Sequence, residues 1–299
     1  MEVAQGYDEV MRRMAALGGE PYGQSVAGEA LCQVTLGAHA PDAPTMLVVG
    51  GIHAMEHVGT LAALALAERI ARGEGPAAWR RWRVVVAPLA NPDGFRAVEA
   101  ARAGGGPGAR RFRRTNRRGV DLNRNFAAHW DDSHWLTRLL PRVFAPGAAP
   151  LSEPETAALD ALAARTPPAI VVSLHAFGEW LYLPWAARRE APADAAGMLA
   201  LARTAVARQA RPYRVARLGE RSRLFAAHGA EIDHFHERFG AWTFLFEIGA
   251  GPRTNDPAGW LDPYRWYTPR ADLLAADVAN LLPAIDALAE AELPLLRRR

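Results

Sequence analysis

"TMLVVGGIHAMEHVGT", residues Thr45 to Thr60, governs how the rest of the chain is read. Met46 to Val49 make a short apolar run bounded by glycine, which predicts a buried strand. Two glycines then deliver His53, Glu56 and His57 almost side by side. Such groups are costly to bury unless each finds a partner, so they either lie on an exposed helix start or hold something. His53-Ala-Met-Glu56-His57 also spells H-x-x-E-H, the inverted zincin motif, in which both histidines bind zinc and the glutamate is the base. That reading requires a helix through the motif, so that positions i and i+4 share a face. The strand and Gly-Gly turn just before His53 place the helix start at or after Glu56 instead.

Working outward, further strands are expected near Ala30 to Leu36, Arg83 to Leu89, Ala169 to Leu174 and Trp242 to Phe246. Asn91 to Gly94 reads as a turn, and Ala101 to Gly108 as a loop. Helices are expected over Val3 to Leu17, stopped by Gly18 and Gly19, over Val58 to Gly73 and over Ala191 to Ala210, with one or two more after Tyr264. Another opens at Ser152, with Glu155 three residues on as a capping box. Strands alternating with helices imply an α/β class: a single three-layer α/β/α domain over residues 1–299, with a mixed, largely parallel central sheet and no propeptide.

Composition narrows the function. Half of the 299 residues are hydrophobic and 22% are charged, ordinary for a soluble globular enzyme. All 35 basic residues are arginines, scattered along the chain, and the net charge is only +3. No basic stripe interleaved with aromatics occurs, so a nucleic-acid partner is not expected. "RRFRR", Arg110 to Arg114, is the one dense cluster. Cys32 is the only cysteine, which rules out an intrachain disulfide and a cysteine-based zinc cage. The first residues lack the pattern of a secretory signal, and no apolar run approaches a membrane span. A cytoplasmic location without a membrane partner is the expectation.

Three of the expected strands end in the same chemistry. The first delivers His53 and Glu56, the Ala169 to Leu174 strand delivers His175, and the last delivers Glu247 inside "FLFEIG". In open α/β sheets ligands gather beyond the carboxyl ends of strands. Any one of these groups alone would be read as structural, but their shared placement marks a site. Two imidazoles and a carboxylate suit zinc, binding at roughly 2.0–2.2 Å and leaving a fourth position for water. Glu247, among Phe244, Leu245, Phe246 and Ile248, is the candidate general base.

With their surroundings, these residues resemble the zinc carboxypeptidase family, the carboxypeptidase A-like or funnelin group. "GQSVAGEAL", "HAME", "NPDG", "FRRTN…GVDLNRNF", "SLHAFGEWLYLPW" and "FLFEIG" follow the family's motifs in order along most of the chain. The resemblance implies one Zn2+ per chain, held by His53, Glu56 and His175, with Glu247 as base. It implies that Arg113 polarises the scissile carbonyl, although Arg114 is adjacent and a one-residue slip would exchange them. Asn123 and Arg124 would hold the substrate's terminal carboxylate. The family's flexible tyrosine falls on Phe225, a departure, and Ile232 falls at the floor of the side-chain pocket, flanked by Glu231 and Asp233. The implied activity is removal of a C-terminal residue from a peptide. The alternative is a related zinc amide hydrolase acting on a small acyl-amino acid or a cell-wall peptide. The oligomeric state is left open.

Overall fold

The computed structural model describes residues 6–105, 112–131, 134–221, 226–252 and 260–292. Phe225, part of the Arg110 to Arg114 cluster and the arginine-rich terminus therefore lie outside the described residues. The strands are β1 (Glu20–Gln24), β2 (Ala30–Gly37), β3 (Thr45–Gly50), β4 (Arg83–Ala87), β5 (Pro168–His175), β6 (Trp180–Leu183), β7 (Arg214–Arg217) and β8 (Trp242–Glu247). The helices are α1 (Tyr7–Ala16), α2 (His57–Ala71), α3 (Pro92–Gly104), α4 (Trp135–Leu139), α5 (Pro154–Arg165), α6 (Ala195–Val206), α7 (Leu218–Arg221), α8 (Glu231–Phe239), α9 (Tyr264–Tyr267) and α10 (Ala271–Glu290).

All eight strands join one sheet in the order β1-β2-β4-β3-β5-β8-β6-β7. The centre is parallel, with β3 between β4 and β5 and β8 beyond β5. Antiparallel pairs flank it, so the sheet is mixed, as expected. Parallel strands covered on both faces read as unbroken apolar runs, which is why "TMLVVG" and "AIVVSL" were legible. Alternate residues still point to opposite faces. Met46, Val48, Val84, Val172 and Phe244 pack with Leu64 of α2, Met198 of α6 and Leu281 of α10. Leu47, Val49, Val85 and Val171 pack with Leu159 and Leu162 of α5 and Phe235 of α8. This is a three-layer core, and each fully buried Leu, Val or Phe contributes about 1.5–3 kcal/mol.

One close contact sets the site's frame. A side chain at Gly59 would collide with the carbonyl oxygen of Leu174. Glycine thus lets the first turn of α2 rest on the last residues of β5, bringing the Glu56 end of the helix against His175.

Some local expectations differ. Asn91 does not open a turn but caps α3, its side-chain oxygen accepting from Gly94 N at 2.9 Å with Pro92 at the first helical position. The helix continues to Gly104, through the first half of the expected loop. The Ser152 capping box does not form. Glu153 is the N-cap residue, and the Glu155 carboxylate instead accepts from Val26 N and Asn116 Nδ2. The alanine-rich helix is shorter, Ala195–Val206.

Candidate metal centre

β3 ends at Gly50, β5 at His175 and β8 at Glu247, and in the β5–β8 register His175 and Glu247 are partners. The loop after β3 carries His53 across to β5, and Glu56 immediately precedes α2. His53, Glu56 and His175 are all buried. His53 Nδ1 lies 2.8 Å from Glu56 Oε1, and His175 Nδ1 lies 2.9 Å from Glu56 Oε2. The two Nδ1 atoms are themselves 3.1 Å apart.

The outer nitrogens explain this inward aim. His53 Nε2 lies 3.2 Å from Asp121 Oδ1, and His175 Nε2 lies 2.5 Å from Glu231 Oε1. The Glu231 carboxylate bonds the far nitrogen of His175 and turns its Nδ1 inward, the usual support for a metal-binding histidine, while Asp121 stands within ion-pair distance of the far nitrogen of His53 without hydrogen-bonding it. Two ring nitrogens and a carboxylate then face one point, an arrangement balanced by a proton on His175 or by a metal cation. Tetrahedral zinc with bonds near 2.0–2.2 Å would want its ligand atoms roughly 3.3 Å apart, close to the spacing seen. The residues fit the metal. Among the described residues, these three form a group whose ligand atoms all lie within 4.8 Å of one another.

His57 does not take part. Its ring stacks on Phe95 with centroids 3.6 Å apart, and its Nδ1 meets Tyr264 Oη at 3.1 Å. Burial pushes it down to about 3, so it stays neutral. α2 begins at His57, after the ligands, so the motif is not wound into a helix and the inverted zincin geometry is absent.

Electrostatics divide the site. Burial disfavours ionised Glu56, yet His53 and His175 outweigh it and hold the carboxyl well below the usual range. Burial pulls His175 down, but Glu231 and Glu56 outweigh that and hold its imidazolium well above the ordinary 6.5. Loss of water around Glu247, and then the negative charge of Glu56, push that carboxyl up to about 8. A bound dication would draw it back down.

Two adjacent arginines stand near the site. The charge of Arg114 acts on Glu56 and Glu247. Arg114 Nε donates to Asp121 Oδ2 at 2.7 Å, so the carboxylate that supports His53 also captures this guanidinium beside the cluster. Arg113 donates its backbone N–H to Met55 Sδ, while its own Nε–H is buried without an acceptor. Arg124 stands on the other flank of Asp121, pushed down to about 10 by burial and held up partly by that carboxylate. Asn123 is buried, its Oδ1 accepting from Glu231 N at 2.9 Å. Ile232 is fully enclosed with Tyr182, Ala227, Ala230 and Leu245. Its flanking acids are occupied: Glu231 by Ser173 and His175, Asp233 by the N–H groups of Ala186 and Ala187.

Three residues went unread in the sequence. Asp121 and Glu231, the histidine supports, pair across 68 and 56 positions, and neither spacing is periodic. Tyr267 is the third. Its ring packs on Phe177 at 5.0 Å and Phe112 at 5.8 Å. Burial, then Glu56, push its hydroxyl up to about 12. Thr268 ties that segment to the ligand loop, donating to Met55 O and accepting from His57 N.

The model of the zinc carboxypeptidase family matches residues 17–280. Among curated relatives, the chain is 33% identical to murein peptide amidase A of Escherichia coli over 183 residues, 55% of this chain and 66% of that protein. It is 34% identical to YqgT of Bacillus subtilis over 88 residues, 29% of this chain and 23% of that one. The matched stretch thus spans less than two thirds of either relative. Among solved structures, bovine thrombin-activatable fibrinolysis inhibitor superposes with a TM-score of 0.75 at 20% identity, covering 95% of this chain and 94% of that one. Carboxypeptidase A of Helicoverpa armigera gives 0.75 at 19% identity, covering 96% and 74%. These likenesses show the shared α/β fold. With the family match running through both segments that carry the candidate ligands and the strand that ends in Glu247, the chain belongs to the zinc carboxypeptidase family of metallopeptidases.

Proposed function

We propose that the protein is a metallocarboxypeptidase that hydrolyses the C-terminal amide bond of a peptide. The observation that carries this reading is the convergence of two histidine Nδ1 atoms and the Glu56 carboxylate, each within 3.1 Å of the others, beside the end of the strand that bears Glu247. One zinc per chain at His53, Glu56 and His175 would supply Lewis acidity and lower the pKa of water. The rest is done by the chain. Glu247 takes the proton of the attacking water and returns it to the leaving amine. Arg114, rather than Arg113, donates to the oxyanion that develops on the scissile carbonyl. Arg124 and Asn123 hold the terminal carboxylate, for which a guanidinium offers a bidentate fork. Ile232, fully enclosed among apolar neighbours, places no charge at the proposed terminal-residue pocket, which would favour an apolar or aromatic side chain. Glu231, engaged with His175, is not free to select a basic one.

A second reading, an amide hydrolase acting on a cell-wall peptide with the same metal site, is supported by the similarity to murein peptide amidase A. The test is a peptide panel assayed with zinc-loaded protein, free or amidated at the C-terminus, plus acyl-amino acids and a cell-wall peptide. Free peptides should release a single terminal residue, and amidation should cost about 2–5 kcal/mol because a charged partner is lost. Glu247→Gln should retain metal and lose about 10²–10⁴-fold in turnover. Internal cleavage, or equal cleavage of free and amidated peptides, would sink the exopeptidase reading.

A further inference from the structure

Beside the metal centre lies a cavity of about 480 Å³ whose walls include Ala54, Asp93, Arg113, Arg114, Arg117 and Arg142. Four arginines and one acidic residue contribute to this lining, and that one carboxylate is taken. Asp93 accepts from Ser25 Oγ at 2.8 Å and from Ala27 N at 2.9 Å. Arg114 is paired with Asp121. Arg113, Arg117 and Arg142 make no ion pair among the described residues, and the Arg113 Nε–H is buried without an acceptor. Gathering like charges without counter-charge is unfavourable, and a buried unpaired donor adds its own desolvation penalty. An anion in the cavity would supply the missing counter-charge.

The cavity also has a fixed relation to the proposed reaction. Ala54 sits between His53 and Met55 in the ligand loop, and its N–H donates to Arg114 O at 3.1 Å. The wall is therefore hydrogen-bonded directly to the metal-binding loop. Arg114 is shared with the scissile-carbonyl position, whereas Asn123 and Arg124 are not among the lining residues. An occupant would consequently be the acyl side of the substrate, not its terminal carboxylate.

Building on the carboxypeptidase reading, we propose that this cavity is an acidic-residue subsite, and that the substrate carries at least one further carboxylate on the acyl side of the scissile bond. Two peptides that share a terminal residue and differ only in Glu or Gln upstream should differ about tenfold or more in kcat/KM, the acidic one faster, since one added charge-assisted pair of this kind is worth at least ~1.4 kcal/mol. The preference should shrink with added salt. Replacing the two exposed arginines, Arg117→Gln with Arg142→Gln, should bring the Glu-to-Gln ratio close to one. An unchanged ratio in the double variant, or a wild-type preference for the Gln peptide, overturns the proposal.

Binding separates this inference from the catalytic one. Calorimetric titration of metal-loaded Glu247→Gln with the same two peptides needs no turnover. Tighter binding of the Glu peptide, lost in the Arg117→Gln/Arg142→Gln background, supports the subsite even if neither peptide is a substrate. Equal binding of the two peptides overturns it. Inorganic phosphate serves as the competing probe. Displacement of the Glu peptide by phosphate at concentrations below the peptide's own would reassign the cavity to a free anion.

Discussion

Asp121 and Glu231 stand behind the two candidate ligand histidines, and the chain sets them in very different surroundings. Asp121 accepts from Arg114 Nε and Asn123 N while facing His53. Burial alone would raise its pKa, but Arg114 and Arg124 hold it far below the usual carboxylate range. Glu231 has Ser173 and His175 on one oxygen, and its Oε2 is buried with no partner. The first carboxylate is thus part of the fold's electrostatic frame. The second is balanced chiefly by the histidine it supports. A charge in a saturated network should matter to folding, and a charge with a spare oxygen should matter to the metal.

Removing each carboxylate tests that contrast. Asp121→Asn would leave Arg114 and Arg124 facing each other without their shared anion, so it should lose about 3–5 kcal/mol of stability, read by denaturant titration of the metal-free protein. At a pH high enough to leave His175 neutral, Glu231→Gln should leave that stability within about 1 kcal/mol, because it removes a charge with one unsatisfied oxygen. Its effect should fall on metal affinity instead, weakened about 10–100-fold at high pH. Equal stability losses in the two variants would erase the distinction.

Acid and base sharpen it further. In the metal-free protein His175 has its pKa raised, so the stability it contributes is complete below 6.5, its ordinary value, and fades as pH rises through the raised one. Glu56 is depressed, so its contribution is present above 4.5 and is lost only as pH falls through its lowered value. Between those limits a proton holds the empty centre together, and a metal must displace it. Metal affinity should therefore climb with pH, by about tenfold per unit while that one proton is released. Glu231→Gln removes the largest charge that keeps the proton on His175, so its affinity should level off at lower pH. A pH-independent affinity would contradict this coupling.

The smallest expected effect concerns Tyr267. Its hydroxyl reaches the same field as Glu56 and Glu247 yet comes from the segment before α10. Tyr267→Phe should raise KM a few-fold, about 1 kcal/mol for one neutral hydrogen bond, with kcat and metal content nearly unchanged. A loss confined to kcat would place the phenol in the chemistry itself.

How much of this could be read beforehand follows from range. Buried parallel strands are unbroken apolar runs, so β3, β5 and β8 declared themselves, and with them the groups at their ends. The short strands β6 and β7, at one end of the sheet, carry Trp180 and Arg214 among mixed neighbours and show no such pattern. "NPDG" was ambiguous because Asn before Pro opens a helix as readily as a turn. Asp121 stood inside a motif already quoted, but nothing local says which histidine it faces. Arg113 and Arg114 are separated only by where Asp121 lies after folding. Counting along the chain could not choose between them.

Metal content decides the central claim most directly. Wild type, His175→Ala and His57→Ala would be purified, exposed to equal zinc, dialysed and assayed for metal per chain. One zinc should remain in wild type and in His57→Ala, whose ring is engaged by Phe95 and Tyr264 instead, and almost none in His175→Ala. Metal retained without His175 and lost without His57 would contradict the ligand set and return the site to the inverted zincin arrangement.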